Sequence, residues 1–239
     1  MGWFVPNKNQ LKRETNTMAG MLDFEIFHDD YNGAVATFPT TADPATPWLV
    51  DDTSSAGTPV YTKGTSEATL TLVSTSEVEN VCLHFNDALD FDIDDIQRVT
   101  MRVKIGAATF TSGSILCFGV GSARNDIAND VAANAWFRME GANSTTLVYA
   151  ETDDGTRDVD DISTGVTLGT TYKDFVIDFT GGKSNVKFYI DGVRVCTSQT
   201  FDMSAYSSGL QPIIQIQKAA NTNVDSVVVD YIEIVSKRG

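Results

Sequence analysis

The chain has 239 residues, 42% of them hydrophobic, enough for a sizeable core in one sandwich-sized domain without disulfide staples. A net charge of −15 argues against a general nucleic-acid binder and against a partner of anionic membranes, because both need clustered Lys and Arg. No run reaches the roughly 18 consecutive apolar residues of a membrane-spanning helix, and Met1–Pro6 lacks the basic flank and apolar run of a secretory signal.

Residues 1–27 show neither strand alternation nor a helical period, yet they are rich in anchors: Trp3, Phe4, Val5, Leu11, Met18, Met21, Leu22 and Phe24. Disordered tails are poor in aromatics. This segment therefore reads as an arm that docks on its own domain or on a neighbour. Within it residues 1–20 carry Lys8, Lys12 and Arg13 against the single Glu14, a positive sign in an otherwise acidic chain, which suits an acidic surface. Residues 28–239 are then the folded domain. Its first part, 28–66, is loop-like, with Phe38-Pro39, Thr58-Pro59 and Asp43-Pro44-Ala45-Thr46-Pro47 leading to an aromatic anchor, Trp48.

From Ala68 onward strand signals recur. Val99, Met101, Val103 and Ile105 alternate with Thr100, Arg102 and Lys104, predicting a strand covered on one face. Ser114–Val120 is almost wholly apolar and reads as buried on both faces. Segments 135–139, 146–151 and 157–161 follow, the last two joined by an Asp153-Asp154-Gly155 turn. Phe175, Ile177 and Phe179 share a face, and Val186, Phe188 and Ile190 precede Asp191-Gly192, the strongest short hairpin signal. Segments 210–217 and 225–235 complete about eleven to thirteen strands with no helix. The last is apolar on both faces, as for a central strand with a subunit or arm lying over it. Such a pattern predicts an all-β, two-sheet jelly-roll sandwich with an irregular N-terminal arm.

Four runs in order carry a resemblance: Tyr172-Lys173-Asp174-Phe175-Val176-Ile177-Asp178-Phe179, the hairpin Asn185–Cys196, Pro212-Ile213-Ile214-Gln215-Ile216-Gln217, and the closing Asp230-Tyr231-Ile232-Glu233-Ile234. Over residues 68–236 they resemble the concanavalin A-like, or laminin G-like, jelly roll, a fold of lectins, carbohydrate-binding modules, laminarinase-type glycosidases and tailed-phage structural proteins. Among these the chain looks most like capsid decoration (cement) proteins. That resemblance implies a virion structural protein, made in the host cytoplasm and seated on the capsid surface. Its partners would be the major capsid protein and its own copies in a homotrimer, with residues 1–27 as the clamp. The alternative is a glycan-binding module of a phage tail or fibre, less readily a glycosidase. Fold does not fix function.

No catalytic constellation is legible. The Glu-x-Asp-x-x-Glu strand of laminarinase-like enzymes is absent, as are a Gly-x-Ser-x-Gly elbow and a phosphate-binding loop, so the expectation is that the chain is not an enzyme. Cys82, Cys117 and Cys196 lie in apolar runs and read as buried reduced thiols; His28 and His84 read as structural. No cofactor is expected, and calcium is the one candidate ion, at Asp92, Asp94 and Asp95 or at Asp153 and Asp154, where loop carboxylates offer hard oxygen ligands. Trp48, Trp136, Tyr149, Tyr206 and Tyr231 are weighed as sugar-stacking rings, with core or interface packing the plainer role.

Overall fold

The computed structural model describes residues 24–32, 36–64 and 66–238. Within them sixteen strands form two antiparallel eight-stranded sheets, and two one-turn 3₁₀ helices, Ala128–Asp130 and Lys183–Asn185, lie in connections between strands of the same sheet. The strands are β1 (Phe24–Asp29), β2 (Leu49–Asp52), β3 (Val60–Lys63), β4 (Ala68–Thr71), β5 (Glu77–His84), β6 (Phe91–Asp92), β7 (Ile96–Ile105) and β8 (Ser114–Gly121). They continue as β9 (Asn134–Glu140), β10 (Leu147–Asp153), β11 (Asp158–Thr167), β12 (Lys173–Asp178), β13 (Lys187–Ile190), β14 (Val193–Val195), β15 (Gly209–Asn221) and β16 (Ser226–Lys237). The first sheet runs β14-β13-β12-β7-β16-β4-β3, with β1 also on β16. The second runs β11-β10-β9-β8-β15-β5-β2, with β6 on β15.

One continuous core fills the space between the sheets. Phe118, Phe137, Phe175, Phe188 and Phe201 form a chain of edge-to-face contacts with centroids 4.7–5.1 Å apart, and Phe118 also stacks on Phe137 at 5.7 Å. A second aromatic group gathers Phe27, Tyr31, Phe38, Phe85 and Phe91 around Trp48. Trp48 is the anchor its loop context predicts: it is buried and its Nε1 donates to Asp29 Oδ2 at 2.7 Å. That bond satisfies the indole N–H and a carboxylate whose pKa burial raises.

The Asp191-Gly192 turn has φ of 50° and 77°, as a type I′ hairpin requires, and β7 shows the predicted core face and polar face. Elsewhere the chain departs from the sequence reading. Phe24–Asp29, placed mostly in the arm, is a strand paired with Ile232–Lys237 of β16. β2 and β3 lie in the stretch read as loop. The two apolar faces assigned to the last strand arise from a shift of phase, because a bulge between Val229 and Tyr231 changes the alternation. Val227, Val229, Ile232 and Ile234 all point to the core, and Tyr231, Glu233 and Val235 share the outer face. Of the arm residues, Trp3, Phe4, Val5, Leu11, Lys12, Arg13, Met18, Met21 and Leu22 lie outside the described residues.

On the outer face of the first sheet, charges pair with each other. Arg98 binds Glu233 at 2.9 Å, Arg102 lies between Asp174 and Asp230, and Lys104 sits 4.1 Å over the Tyr172 ring. His28 stacks on Tyr231 there.

Candidate functional site: the outer face of the second sheet

Period-two alternation in β9 sends Ala135, Phe137 and Met139 to the core and Asn134, Trp136, Arg138 and Glu140 outward. An outward row would ordinarily meet water, yet Asn134, Trp136 and Arg138 are buried. Their cover is the β8–β9 connection, which folds back across the sheet. Its backbone N–H at Ala128 donates to Gln217 Oε1 at 3.0 Å, its Asn125 carbonyl accepts from Gln215 Nε2 at 3.0 Å, and its Asn129 Oδ1 accepts from Arg138 Nη1 at 2.6 Å. Beneath it Cys82, Cys117, Ala128, Val131, Trp136 and Ile213 form a second, small apolar cluster. Gly119 makes room for it: a Cβ there would lie 2.4 Å from the Ala135 carbonyl oxygen and 2.7 Å from Trp136 Cβ. This explains why Ser114–Val120 is apolar on both faces.

Arg138 is the hub of a charged cluster drawn from three strands. Its guanidinium meets Glu151 Oε2 at 3.1 Å, Glu140 Oε2 at 2.9 Å and Asp161 Oδ1 at 3.5 Å. Asp161 reaches it from a bulged segment of β11, with φ of 48°. Burial pushes the Glu151 carboxyl up to about 7, against the opposing pull of Arg138. Nearby, burial and a hydrogen bond with Asp160 push Asp158 up to about 6. Across the sheet, His84 Nε2 lies 2.8 Å from Asp51 Oδ2, and Arg124 binds both Asp51 and Asp126.

A raised carboxylate favours its protonated form in the folded state. Glu151 therefore costs stability above pH 7, and that cost is relieved as the pH falls from about 7 toward its ordinary value of 4.5. Acidifying from pH 8 to 5 should raise the unfolding free energy by up to roughly 3 kcal/mol from this group. Glu151→Gln should flatten that slope. Urea titrations at several pH values check both outcomes, and an unchanged slope in E151Q contradicts the assignment.

Beside this cluster opens a groove of about 390 Å3. Val78, Ile115, Ile127 and Ala142 supply its apolar walls, and Glu140 and Gln217 its polar contacts. Val78 is 69% and Ile127 52% exposed. Several buried polar atoms on the same sheet face have no hydrogen-bond partner among the described residues: both amide atoms of Asn80, Nδ1 of His84, Oδ1 of Asn134 and Oε1 of Gln215. Such atoms are normally satisfied by protein or water.

The residues singled out from sequence are placed otherwise. Asp92 Oδ1 accepts from Asp94 N, Asp94 binds Lys183 at 2.9 Å, and the Asp95 carbonyl accepts from Lys237 N. Asp153 Oδ1 accepts from Gly155 N. The buried Asp154 carboxylate accepts from the backbone N–H groups of Thr156, Arg157 and Ala205 and from the Arg157 guanidinium. These carboxylates brace loops, and no group of three or more His, Cys, Asp or Glu among the described residues is arranged to hold a metal ion. Trp48, Trp136 and Tyr149 are buried and offer no open stacking face; Tyr206 and Tyr231 are half-buried. Cys82 and Cys117 are buried thiols, as expected. Cys196 is only half-buried, because it follows the edge strand β14. Sequence reasoning passed over Arg138, Glu140, Glu151 and Asp161. The alternation of β9 was the available signal.

No family model and no curated protein matches the sequence. Solved structures do. The carbohydrate recognition domain of Emp47p superposes with a TM-score of 0.58 at 11% identity, over 87% of this chain and 96% of that one. The fold is the concanavalin A-like jelly roll. An endo-acting O-glycanase structure from human gut microbiota, described with mucin breakdown, gives 0.62 at 10% identity over 88% and 98% of the two chains. A glycoside hydrolase family protein from Mycobacterium thermorestibile gives 0.56 at 15% identity over 87% and 99%. The capsid-decoration resemblance has no counterpart among these. The expectation that the chain is not an enzyme is corrected by them: the same architecture, over nearly the whole described chain, is that of two glycoside-cleaving proteins.

Proposed function

We propose that this jelly roll recognises glycans on the outer face of its second sheet. The observation that carries the reading is the open groove on that face, with apolar walls from Val78, Ile115, Ile127 and Ala142 and polar groups from Glu140 and Gln217. A sugar offers hydroxyl donors and acceptors to Glu140 and Gln217 and apolar C–H faces to Val78, Ile115 and Ile127. Small-molecule sites are commonly concave, largely apolar and studded with a few polar groups of this kind. Support also comes from the carbohydrate recognition domain and glycoside-cleaving relatives that share the fold. The chain's charge of −15 favours neutral glycans over acidic ones.

Glycan-array binding followed by isothermal titration tests the reading. Saturable binding is expected, and Val78→Arg, at an exposed position on the groove wall, should abolish it without lowering Tm. Binding that V78R leaves untouched would place the glycan elsewhere.

A second reading, glycoside hydrolysis, is favoured by Glu151 alone. A carboxyl near pKa 7 is protonated often enough at neutral pH to protonate a leaving oxygen, while a neighbouring carboxylate remains ionised. Glu151 is 2% exposed, so substrate access requires the β8–β9 connection to lift. Hydrolysis of a bound oligosaccharide would decline above pH 7 and vanish in E151Q with binding retained. Chromatography showing no product from any bound glycan removes this reading and leaves recognition intact.

A further inference from the structure

We infer that the segment ahead of β1, with Met18, Met21 and Leu22 as its anchors, folds back on its own chain and fills an aromatic pocket beside that strand. The pocket shares no lining residue with the groove described above, so this inference does not depend on glycan recognition. It has a volume of about 420 Å3. Phe27, Phe85 and Phe91 line it with centroids 5.2–6.1 Å apart, and Ile26 and Pro47 complete the apolar wall. Phe27 and Phe85 are buried, whereas Ile26, Pro47 and Phe91 are only half-buried, which leaves apolar surface open. Beside the pocket, β1 is paired along one edge, with β16. No strand lies against its other edge among the described residues. An open strand edge next to an apolar hollow suits an extended segment that adds backbone to the one and side chains to the other.

Connectivity names the occupant. The pocket wall begins at Glu25, and the chain enters β1 at Phe24. Residues 19–23 span at most roughly 18 Å when fully extended, so Met18, Met21 and Leu22 are tethered within reach of the hollow. A short tether gives an effective concentration on the order of millimolar, which favours the chain's own segment over that of a second copy. Gly20, in Met18-Ala19-Gly20-Met21-Leu22, permits the tight reversal that a return along β1 requires. Methionine also suits this pocket. It is unbranched, it fills irregular gaps, and its sulfur packs favourably against aromatic rings.

Charge points the same way. Residues 85–97 carry Asp87, Asp90, Asp92, Asp94 and Asp95 and no cation. Asp94 is paired with Lys183, but Asp90, which lines the pocket, has no cation among the described residues. Glu25, the other carboxylate at the pocket, lies 3.8 Å from Arg238. Residues 1–20 bring Lys8, Lys12 and Arg13 against the single Glu14. That excess of positive charge draws the segment toward this acidic stretch.

Photo-cross-linking of the full chain tests the inference. One variant carries p-benzoylphenylalanine in place of Phe91, and a second carries it in place of Pro47. Either one that keeps the circular dichroism of the parent serves, so misfolding at one position leaves the other to decide. Irradiation is expected to give a product of monomer mass in which the probe is joined to residues 11–22, read by peptide mass spectrometry. Adding Met18→Asp, Met21→Asp and Leu22→Asp together should abolish that product. The same probe in place of Val193, which is 66% exposed on β14, should capture none of those residues. No join to residues 11–22 from a folded pocket variant overturns the inference, and so does capture that survives the three Asp substitutions or occurs equally from position 193. Capture only in products of twice the monomer mass also overturns it, because the occupant would then be a second copy's segment.

Discussion

Replacing Arg138 by Met should lower the unfolding free energy by about 3–5 kcal/mol at pH 8, and by less at pH 5.5. The guanidinium is 3% exposed and is the shared partner of Glu140, Glu151 and Asp161. Methionine preserves most of the apolar stem volume but leaves the buried Glu151 with no cation. The carboxyl responds by taking up a proton, which is why the penalty is pH-dependent. With Arg138 gone, the opposing pull on Glu151 disappears and its pKa rises further from about 7. A loss of Asn129's partner also frees the β8–β9 connection. Urea unfolding at the two pH values, with the m-value held constant, measures the difference. Equal penalties at both would show that Glu151 is not the group left uncompensated.

The second large effect lies between β15 and β5. Lys218 and Glu79 are both fully buried and 3.1 Å apart. Lys218 Nζ also donates to the carbonyls of Val73 and Thr75, and Glu79 accepts from Val73 N at 3.0 Å. Together they clamp the β4–β5 turn onto the sandwich end. Lys218→Met removes the cation and strands both the carboxylate and two carbonyls, for an expected loss of about 3–5 kcal/mol. The double variant Glu79→Leu/Lys218→Met should be more stable than K218M alone, because the uncompensated charge goes with its partner. It should remain below the parent chain, because the two carbonyls stay unpaired. A double-mutant cycle in urea reads this coupling, and simple additivity of the two single changes would contradict it.

The two effects differ in how visible their causes are from sequence. Strands that alternate, such as β7, or that end in Asp191-Gly192, were legible because a period of two and a positive-φ turn leave marks on neighbouring residues. β2 and β3, four residues each, sit among Asp, Thr, Gly and Pro, and their pairing partners rather than their own propensities decide them. In β16 the bulge after Val229 changes the phase of the alternation, so a strict period split the core residues between two faces.

The candidate site was hidden for a related reason. Arg138 could be placed outward by counting along β9, but its burial depends on a connection, Ser122–Ala133, with no periodic signal. Glu140, Glu151 and Asp161 meet it only through the order of three neighbouring strands. Lys218 and Glu79 likewise carry no local sign of their pairing, which exists only because β15 and β5 lie side by side. The acidic loops drew attention through composition, whereas the structure uses those carboxylates to hold turns.

The account's central claim is that glycan is recognised on the outer face of the second sheet. Chemical-shift mapping of the isotopically labelled full chain during titration with an array-identified oligosaccharide tests it most directly. The account predicts shifts concentrated at Val78, Asn80, Ile115, Ile127, Ala142 and Gln217. Shifts centred instead on Arg98, Arg102, Tyr172 and Tyr231, on the outer face of the first sheet, would contradict it.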